Sequence, residues 1–436
     1  MGDFNEIVYV EERKGVTSLP ASAKEFRAWI NDMELLDKYP DTILRGGPRG
    51  LSDHCHLIVE DRRLVQGTKP FRSLDSWFTH EGFQRMVKEE WRRLGDVQFL
   101  DKLKALLKSL NRWHKQYFRN IPEKIQKFEV EIKKVDDMVS NGVHDGTIEA
   151  RRKTLVRCCE IWYTRQDIHW KQMSRSRHAK EMDRNTRHFN NIASAGRKNN
   201  RIDSLVINGR LVRNHARIKV ATRDFYRNLH HQEDSSNINF RDGLVNWLEL
   251  EEAQALEVLT SAEEVKDAVW ECESSKASSS DGYNTNFIKR CWEEIGVKFT
   301  KAVLSLFEMA RLPAESNVTW VALASKFLGA KEIKDIRPIS IARCVYKVIS
   351  KVLTKRMKSV IPGLVGESQS AFVKGRRIHD GALIAGETVQ WLKLKKKASA
   401  IIKLDFQKAY DRVKSNFVDI VLEKIGFGRR WRAWIT

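Results

Sequence analysis

The sequence predicts a helix-rich α+β fold, and three observations carry that prediction. Only 8 of 436 residues are proline, about 2% against a usual 5%, so long stretches are free of helix breakers. From about residue 61 to 250, leucines, aromatics and charges recur three and four residues apart, the period of an amphipathic helix. From about 251 to 436, capped helices alternate with short β-branched runs, which argues for helices laid on a small sheet.

Residues 1–60 are loop-rich, with the turn formers Gly46-Gly47-Pro48 and Gly50 close together. In residues 61–250, Leu100, Leu103, Leu106, Leu107 and Leu110 predict an amphipathic helix over 99–118 that ends before Pro122. Ile125, Phe128, Ile132, Val135 and Val139 continue the period in a second helix closed by Asn141-Gly142. Residues 151–173 make a third, with Cys158, Cys159, Trp162 and Trp170 at apolar positions. In residues 251–436, Ser261-Ala262-Glu263-Glu264 is a capping box, Ser261 the N-cap and Glu264 reaching back to its amide. Residues 317–323 predict a strand. A helix over 342–360 presents Val345, Val348, Ile349, Val352 and Leu353 on one face, with Lys347, Lys351, Lys355 and Lys358 on others, and Pro362 follows its stop. The β-branched run 399–406 predicts a buried strand ending in an acid. A helix from about Asn416 closes at Gly426, and another begins at Arg429.

The chain is strongly basic: 78 Lys and Arg against 57 Asp and Glu give +21 at pH 7. Hydrophobic residues make up 42% and the mean hydropathy is −0.49, which together exclude a disordered polyelectrolyte. No run of about 18 apolar residues exists to span a membrane. Met1–Val10 carries acids inside its short apolar stretch, unlike a signal peptide. Six cysteines, none in a C-x-x-C pair, are too scattered for a disulfide scaffold and fit a reducing compartment. Such a positive excess points to a polyanionic partner, nucleic acid before a membrane surface, with a basic but uninvolved surface as the alternative.

The run Lys403-Leu404-Asp405-Phe406-Gln407-Lys408-Ala409-Tyr410-Asp411-Arg412-Val413 puts a carboxylate at the end of the expected strand, followed by a tight turn. That carboxylate and the next backbone carbonyl can ligate Mg²⁺, and phosphoryl-transfer enzymes use such metals to steady the attacking and leaving oxygens. An acid at a strand end also serves as a turn or helix cap. The whole string resembles motif A of the reverse transcriptases of non-LTR (LINE-type) retrotransposons, most of all the plant lineage. The resemblance extends upstream. Lys334-Asp335-Ile336-Arg337-Pro338-Ile339-Ser340 is similar to the D-[FY]-R-P-I-S block of that family, and Tyr346-Lys347-Val348-Ile349-Ser350-Lys351-Val352-Leu353 follows it in the expected order. Gln369-Ser370-Ala371-Phe372-Val373-Lys374-Gly375-Arg376-Arg377-Ile378-His379-Asp380 resembles Q-S-A-F-x-x-G-R-x-I-x-D.

The resemblance implies the fingers and first palm strand of a right-hand polymerase over 251–436. It makes Asp405 a catalytic ligand of Mg²⁺ and Tyr410 the gate against a ribose 2′-hydroxyl. Arg337 and Lys326 would face the incoming triphosphate, and Lys374, Arg376 and Arg377 the nucleic acid. The family reads L-I-P-K where this chain has Leu323-Ala324-Ser325-Lys326, and P-G-x-D-G where it has Ser278-Ser279-Ser280-Asp281-Gly282, a turn expected to be looser. The family's [FY]-x-D-D hairpin is not found after Asp405; Asp136-Asp137, far upstream, is the only adjacent aspartate pair. One carboxylate cannot clamp two cations about 4 Å apart, so the chain is expected to be the front half of a polymerase and catalytically incomplete.

Upstream, Met1-Gly2-Asp3-Phe4-Asn5-Glu6 and Leu51-Ser52-Asp53-His54-Cys55 resemble the G-D-F-N and S-D-H motifs of the apurinic-type endonuclease that precedes the polymerase in these elements. Residues 1–60 are therefore expected to be an α/β endonuclease remnant, in which Asp3 activates water, Asn5 orients it, and Asp53 orients His54 against the scissile phosphate. Between the two, Trp170-Lys171-Gln172-Met173-Ser174-Arg175 and residues 183–189 resemble the connector blocks W-x-x-K-S-R and G-D-x-N-T-x-x-F-H. Trp170, Lys171 and Arg175 suit RNA or single-stranded DNA through stacking and phosphate pairing; a helical spacer with solvated charges is the alternative. The intact family nicks a DNA target and extends its 3′ end on an RNA template, in the nucleus. A non-enzymatic basic RNA- or DNA-binding protein derived from the element is the competing reading.

Overall fold

Apolar residues three and four apart need a partner surface, and the helices they define find it in one another. The computed structural model describes residues 18, 20–32, 42–46, 57–61, 70–142, 145–174, 186–229, 246–274, 278–311, 319–327, 329–404 and 412–436. The chain forms two compact units, residues 1–70 and 71–436. In the first, helix α1 (Ala21–Asp32) is described together with an antiparallel pair, β1 (Thr42–Gly46) and β2 (Leu57–Asp61), in which Thr42 lies opposite Asp61 and Gly46 opposite Leu57.

The second unit begins with a 3₁₀ turn, Asp75–Thr79, and helices α2 (Gly82–Arg93) and α3 (Phe99–Trp113). Phe99, Leu103, Leu106 and Leu110 form the buried stripe of α3, as their spacing predicts. The helix expected to run evenly to Phe118 widens instead into a π turn, His114–Phe118. Pro122 then sits in the first turn of α4 (Ile121–Ser140), where its missing N–H would have had no helical partner. α5 (Gly146–Ser174) packs along α4. Arg152 holds Asp136 at 2.6 Å and Arg151 holds Glu131 at 3.2 Å, so Asp136 of the lone aspartate pair is an ion-pair partner between these helices. α6 (Thr186–Asn199) packs on α5, and the short antiparallel pair β3 (Leu205–Ile207) and β4 (Arg210–Val212) leads into α7 (His215–Leu229).

The remaining elements are α8 (Leu250–Leu256), α9 (Ala262–Glu271), α10 (Thr285–Arg290), α11 (Trp292–Met309), β5 (Trp320–Ser325), β6 (Ile336–Ile341), α12 (Cys344–Leu364), α13 (Ile378–Leu394), α14 (Ser415–Ile425) and α15 (Arg429–Ile435). Half of the expected capping box on α9 forms. The Ser261 hydroxyl accepts the Glu264 amide at 3.2 Å, but the Glu264 carboxylate turns away to Arg356 of α12, which reaches it with two nitrogens at 2.8 and 2.6 Å. α12 runs through Pro362 to Leu364, past its expected stop, because Val360 and Leu364 are both buried; their burial outweighs one ladder bond lost in the last turn. The expected strand over 399–406 is not observed in its described part. Residues 399–404 are irregular, with Ile401, Ile402 and Leu404 69%, 80% and 71% exposed. Among the described residues no strand lies alongside to accept their ladder bonds.

One hydrophobic core joins the stretches either side of residue 250, so the change in sequence texture there does not separate two cores. Trp77, Phe83, Leu103 and Leu106 pack with Tyr283, Phe287, Phe299, Val352 and Trp431. Polar bonds tie the same elements. The Tyr283 hydroxyl donates to the Leu103 carbonyl at 2.8 Å, the Asn284 amide to the Ser73 hydroxyl at 3.0 Å, and the Asn284 side chain to Asp75 at 2.9 Å. No helix among the described residues is long and apolar enough to cross a membrane, and the five described cysteines are free.

Candidate functional site

The block read as D-x-R-P-I-S is strand β6 with the turn before it. β6 pairs antiparallel with β5, Arg337 opposite Ala324 and Ile336 opposite Ser325, and the Lys326 amide donates to the Asp335 carbonyl at 2.9 Å. Lys326 is the residue after β5, and that bond fixes it beside the end of β6 that carries Arg337. Both are exposed. On the face opposite Arg337, Ile336 is fully buried in a small core with Leu205 and Ile218. The hairpin is anchored by its neighbours: the Val206 amide donates to the Lys331 carbonyl at 2.7 Å, and the Tyr226 hydroxyl to the Ile336 carbonyl at 3.2 Å. Tyr226 therefore holds the strand next to Arg337. A guanidinium fork and an ammonium point charge near each other on a supported hairpin suit a polyphosphate.

Lys374, Arg376 and Arg377 lie in the turn between α12 and α13. Arg376 faces inward. Its guanidinium donates to the carbonyls of Gly366 and Gln369 at 2.6 and 2.8 Å and of Val365 at 3.2 Å. It satisfies oxygens that the end of α12 leaves open. The Arg377 amide donates to the Asp380 carboxylate at 3.2 Å, the capping geometry of α13. Lys374 is exposed and borders a cavity of about 930 Å³. Ile349, Leu353, Met357 and Trp434 line that cavity, and Arg311 and Lys358 flank it.

The Ser278–Gly282 turn, expected to be loose, is fastened. Asp281 accepts the Tyr283 amide at 3.1 Å and the Cys344 amide at 3.0 Å, so its carboxylate stands at the N-terminus of α12, where the helix dipole favours an anion. Gly282 has φ +86°, and a Cβ there would stand 2.7 Å from the Phe71 carbonyl oxygen, so only glycine fits. Burial, with Asp281 beside it, pushes the Cys344 thiol well above its usual range.

Trp170 and Lys171 sit on α5 and turn toward α6. Lys171 lies 3.2 Å from Asp167 and 5.4 Å from the Phe189 ring, and Arg197 lies 5.9 Å over the Trp170 ring. The interleaving of basic and aromatic residues is thus used, at these two positions, inside the protein. Asp405, Tyr410, Asp3, Asn5, Asp53, His54 and Arg175 lie outside the described residues. Among the described residues no three His, Cys, Asp or Glu side chains converge on a metal-sized site, so the Mg²⁺ implied by the resemblance has no donor set there. Sequence reasoning missed Tyr226 and the β3–β4 hairpin, although Asn208-Gly209 between two apolar runs is a strong hairpin signal.

A supported hairpin on a helix-rich α+β scaffold thus carries two exposed cations, Arg337 and Lys326. Residues 329–436 match the family Reverse transcriptase (RNA-dependent DNA polymerase). The chain is also similar to the transposon TX1 uncharacterized 149 kDa protein of Xenopus laevis, at 26% identity over 261 residues, 58% of this chain and 20% of that protein. The chain thus spans about a fifth of that relative's length. A reverse transcriptase domain and a transposon relative together support a retrotransposon reverse transcriptase.

Proposed function

We propose that this chain supplies the fingers of a reverse transcriptase from a plant-like non-LTR retrotransposon, with an endonuclease tail over 1–60. The observation that carries the reading is the β5–β6 hairpin, which brings Arg337, inside the segment matched to the reverse transcriptase family, near Lys326, just before that segment. There the Arg337 fork pairs two triphosphate oxygens and Lys326 a third. Asp405 serves as the metal carboxylate and Tyr410 as the gate against ribonucleotides. Lys374 and Arg377 meet nucleic acid, while Arg376 holds the turn that presents them. The partners are an RNA template and a DNA target, in the nucleus.

Asp405 alone cannot clamp two cations about 4 Å apart, so a polypeptide of these 436 residues by itself is expected to bind deoxynucleotide without extending a primer. The test is paired. On poly(rA)/oligo(dT) with Mg²⁺ the purified chain gives no incorporation; incorporation that vanishes in Asp405→Ala would refute the inactivity. Labelled dTTP binds, and Arg337→Ala with Lys326→Ala weakens it about tenfold or more, the loss of charge-assisted bonds worth about 1.5–3 kcal/mol. Unchanged dTTP affinity in that double variant would sink the fingers reading.

A further inference from the structure

The β3–β4 hairpin and α7 enclose a groove that none of the roles above uses. Its volume is about 750 Å³, within the range of sites that enclose small ligands. Its floor is apolar, formed by Leu205, Ile207, Val212, Phe225 and Ile333, with Val220 and Arg217 at its edge. Residues 210–229 carry five arginines and one lysine against a single acid, Asp224, and Asp224 lies 3.3 Å from Arg223. Burial divides α7 cleanly. Ile218 and Thr222 face the core, while Arg217, Val220, Arg223 and Arg227 are exposed. Among the described residues Arg210, Arg217 and Arg227 form no ion pair.

We propose that this groove binds single-stranded RNA, one base lying on the apolar floor beside Phe225 while the neighbouring phosphates meet Arg217 and Arg210. An apolar slot with Arg217 in its lining, and Arg210 on β4 opposite the lining residue Ile207, matches a polymer that alternates flat rings with anions. A duplex, whose bases are already stacked and paired, has no ring to offer. The choice of RNA over an acidic peptide rests on the reverse-transcriptase reading. The groove is fixed to the Arg337 hairpin through the Val206–Lys331 and Tyr226–Ile336 bonds, so a strand held here is held in register with that hairpin.

The test is fluorescence anisotropy on the full chain with labelled U12 RNA, a duplex of equal length, and a twelve-residue glutamate peptide. Arg210→Ala with Arg217→Ala is expected to weaken U12 binding about fivefold to tenfold and to lower its salt slope by about 1.4, two phosphates at about 0.7 each. Ala216→Trp fills the mouth of the groove without removing charge. It is expected to weaken U12 severalfold at an unchanged slope and to leave the duplex alone. Wild-type U12 affinity in both variants, with unchanged far-UV circular dichroism, overturns the proposal, as does tighter binding of the glutamate peptide than of U12. Lys326→Ala with Arg337→Ala separates the two readings. If it loses dTTP while the groove variants keep U12, the fingers reading stands and the groove proposal falls. If it keeps dTTP while the groove variants lose U12, the groove proposal stands and the fingers reading falls.

Discussion

Arg356 shows how much of this fold can hang on one side chain. Its guanidinium reaches both Glu264 oxygens, the carbonyls of Leu256 and Val258 at 3.0 and 2.6 Å, and the Thr260 hydroxyl at 3.1 Å. Its side chain is 11% exposed and that of Glu264 23%. α8, α9, the loop between them and α12 therefore meet on a single planar cation. Removing it takes that partner from the Glu264 carboxylate and the Leu256 carbonyl, which are partly buried, and from the exposed Val258 carbonyl. Arg356→Met is expected to cost about 3 kcal/mol, read as a lower urea midpoint. Arg356→Lys keeps the charge but not the fork, and is expected to recover only part of that loss; full recovery would show that charge alone matters. The Ser261 to Glu264 spacing announced a local cap. The partner that takes Glu264 lies 92 residues on, beyond the reach of any local pattern.

The contact between the 3₁₀ turn, the π turn and α5 is built around histidines. The Trp77 indole donates to His114 Nδ1 at 3.3 Å, which requires that nitrogen to be unprotonated. His169 is mostly buried, and its Nδ1 has no partner among the described residues. Burial pushes both imidazoles below their ordinary 6.5, and for His169 the neighbouring His114 and Arg197 add to it. His80 is lowered by burial and then by Arg165, against a smaller opposing effect of Glu81. The sign follows from linkage. Above about pH 7 these groups are neutral folded or unfolded and cost nothing. As pH falls below 6.5 the unfolded chain takes up protons that the folded chain refuses, and stability drops. The melting temperature is therefore expected to fall between pH 7.5 and 5.5, and His114→Gln, which can still accept from Trp77, to flatten that fall; an equal slope in the variant would refute the assignment. Helices such as α3 and α12 were legible from sequence because a period of apolar residues needs no knowledge of the partner. The nearness of Lys326 to Arg337 follows from the register once β5 and β6 are paired. The π turn and the inward Arg376 were not legible, because they depend on which surface or carbonyl happens to lie opposite. Residues 399–404 had a strand's composition, but a strand also needs a neighbour.

At the scale of the whole molecule, residues 71–118 and 248–434 share one core, and neither stretch closes its apolar face alone. The elements that share this core are accordingly expected to lose structure together. Hydrogen exchange in rising urea checks this: amide protection in α3 and α11 should disappear at one concentration, and earlier loss in α3 would contradict the shared core. Charge is also partly internal at this scale, since Lys351 and Lys355 of α12 lie 3.3 and 3.1 Å from Glu271 of α9. The bonds from Tyr283 to Leu103 and from Asn284 to Ser73 join residues 180 and 211 apart. A ribosome adding about 5–20 residues per second takes roughly 10–40 s to cross such an interval. For that time Trp77, Phe83 and Leu103 have been made but the later residues that pack with them have not, so the growing chain carries an unfinished apolar face.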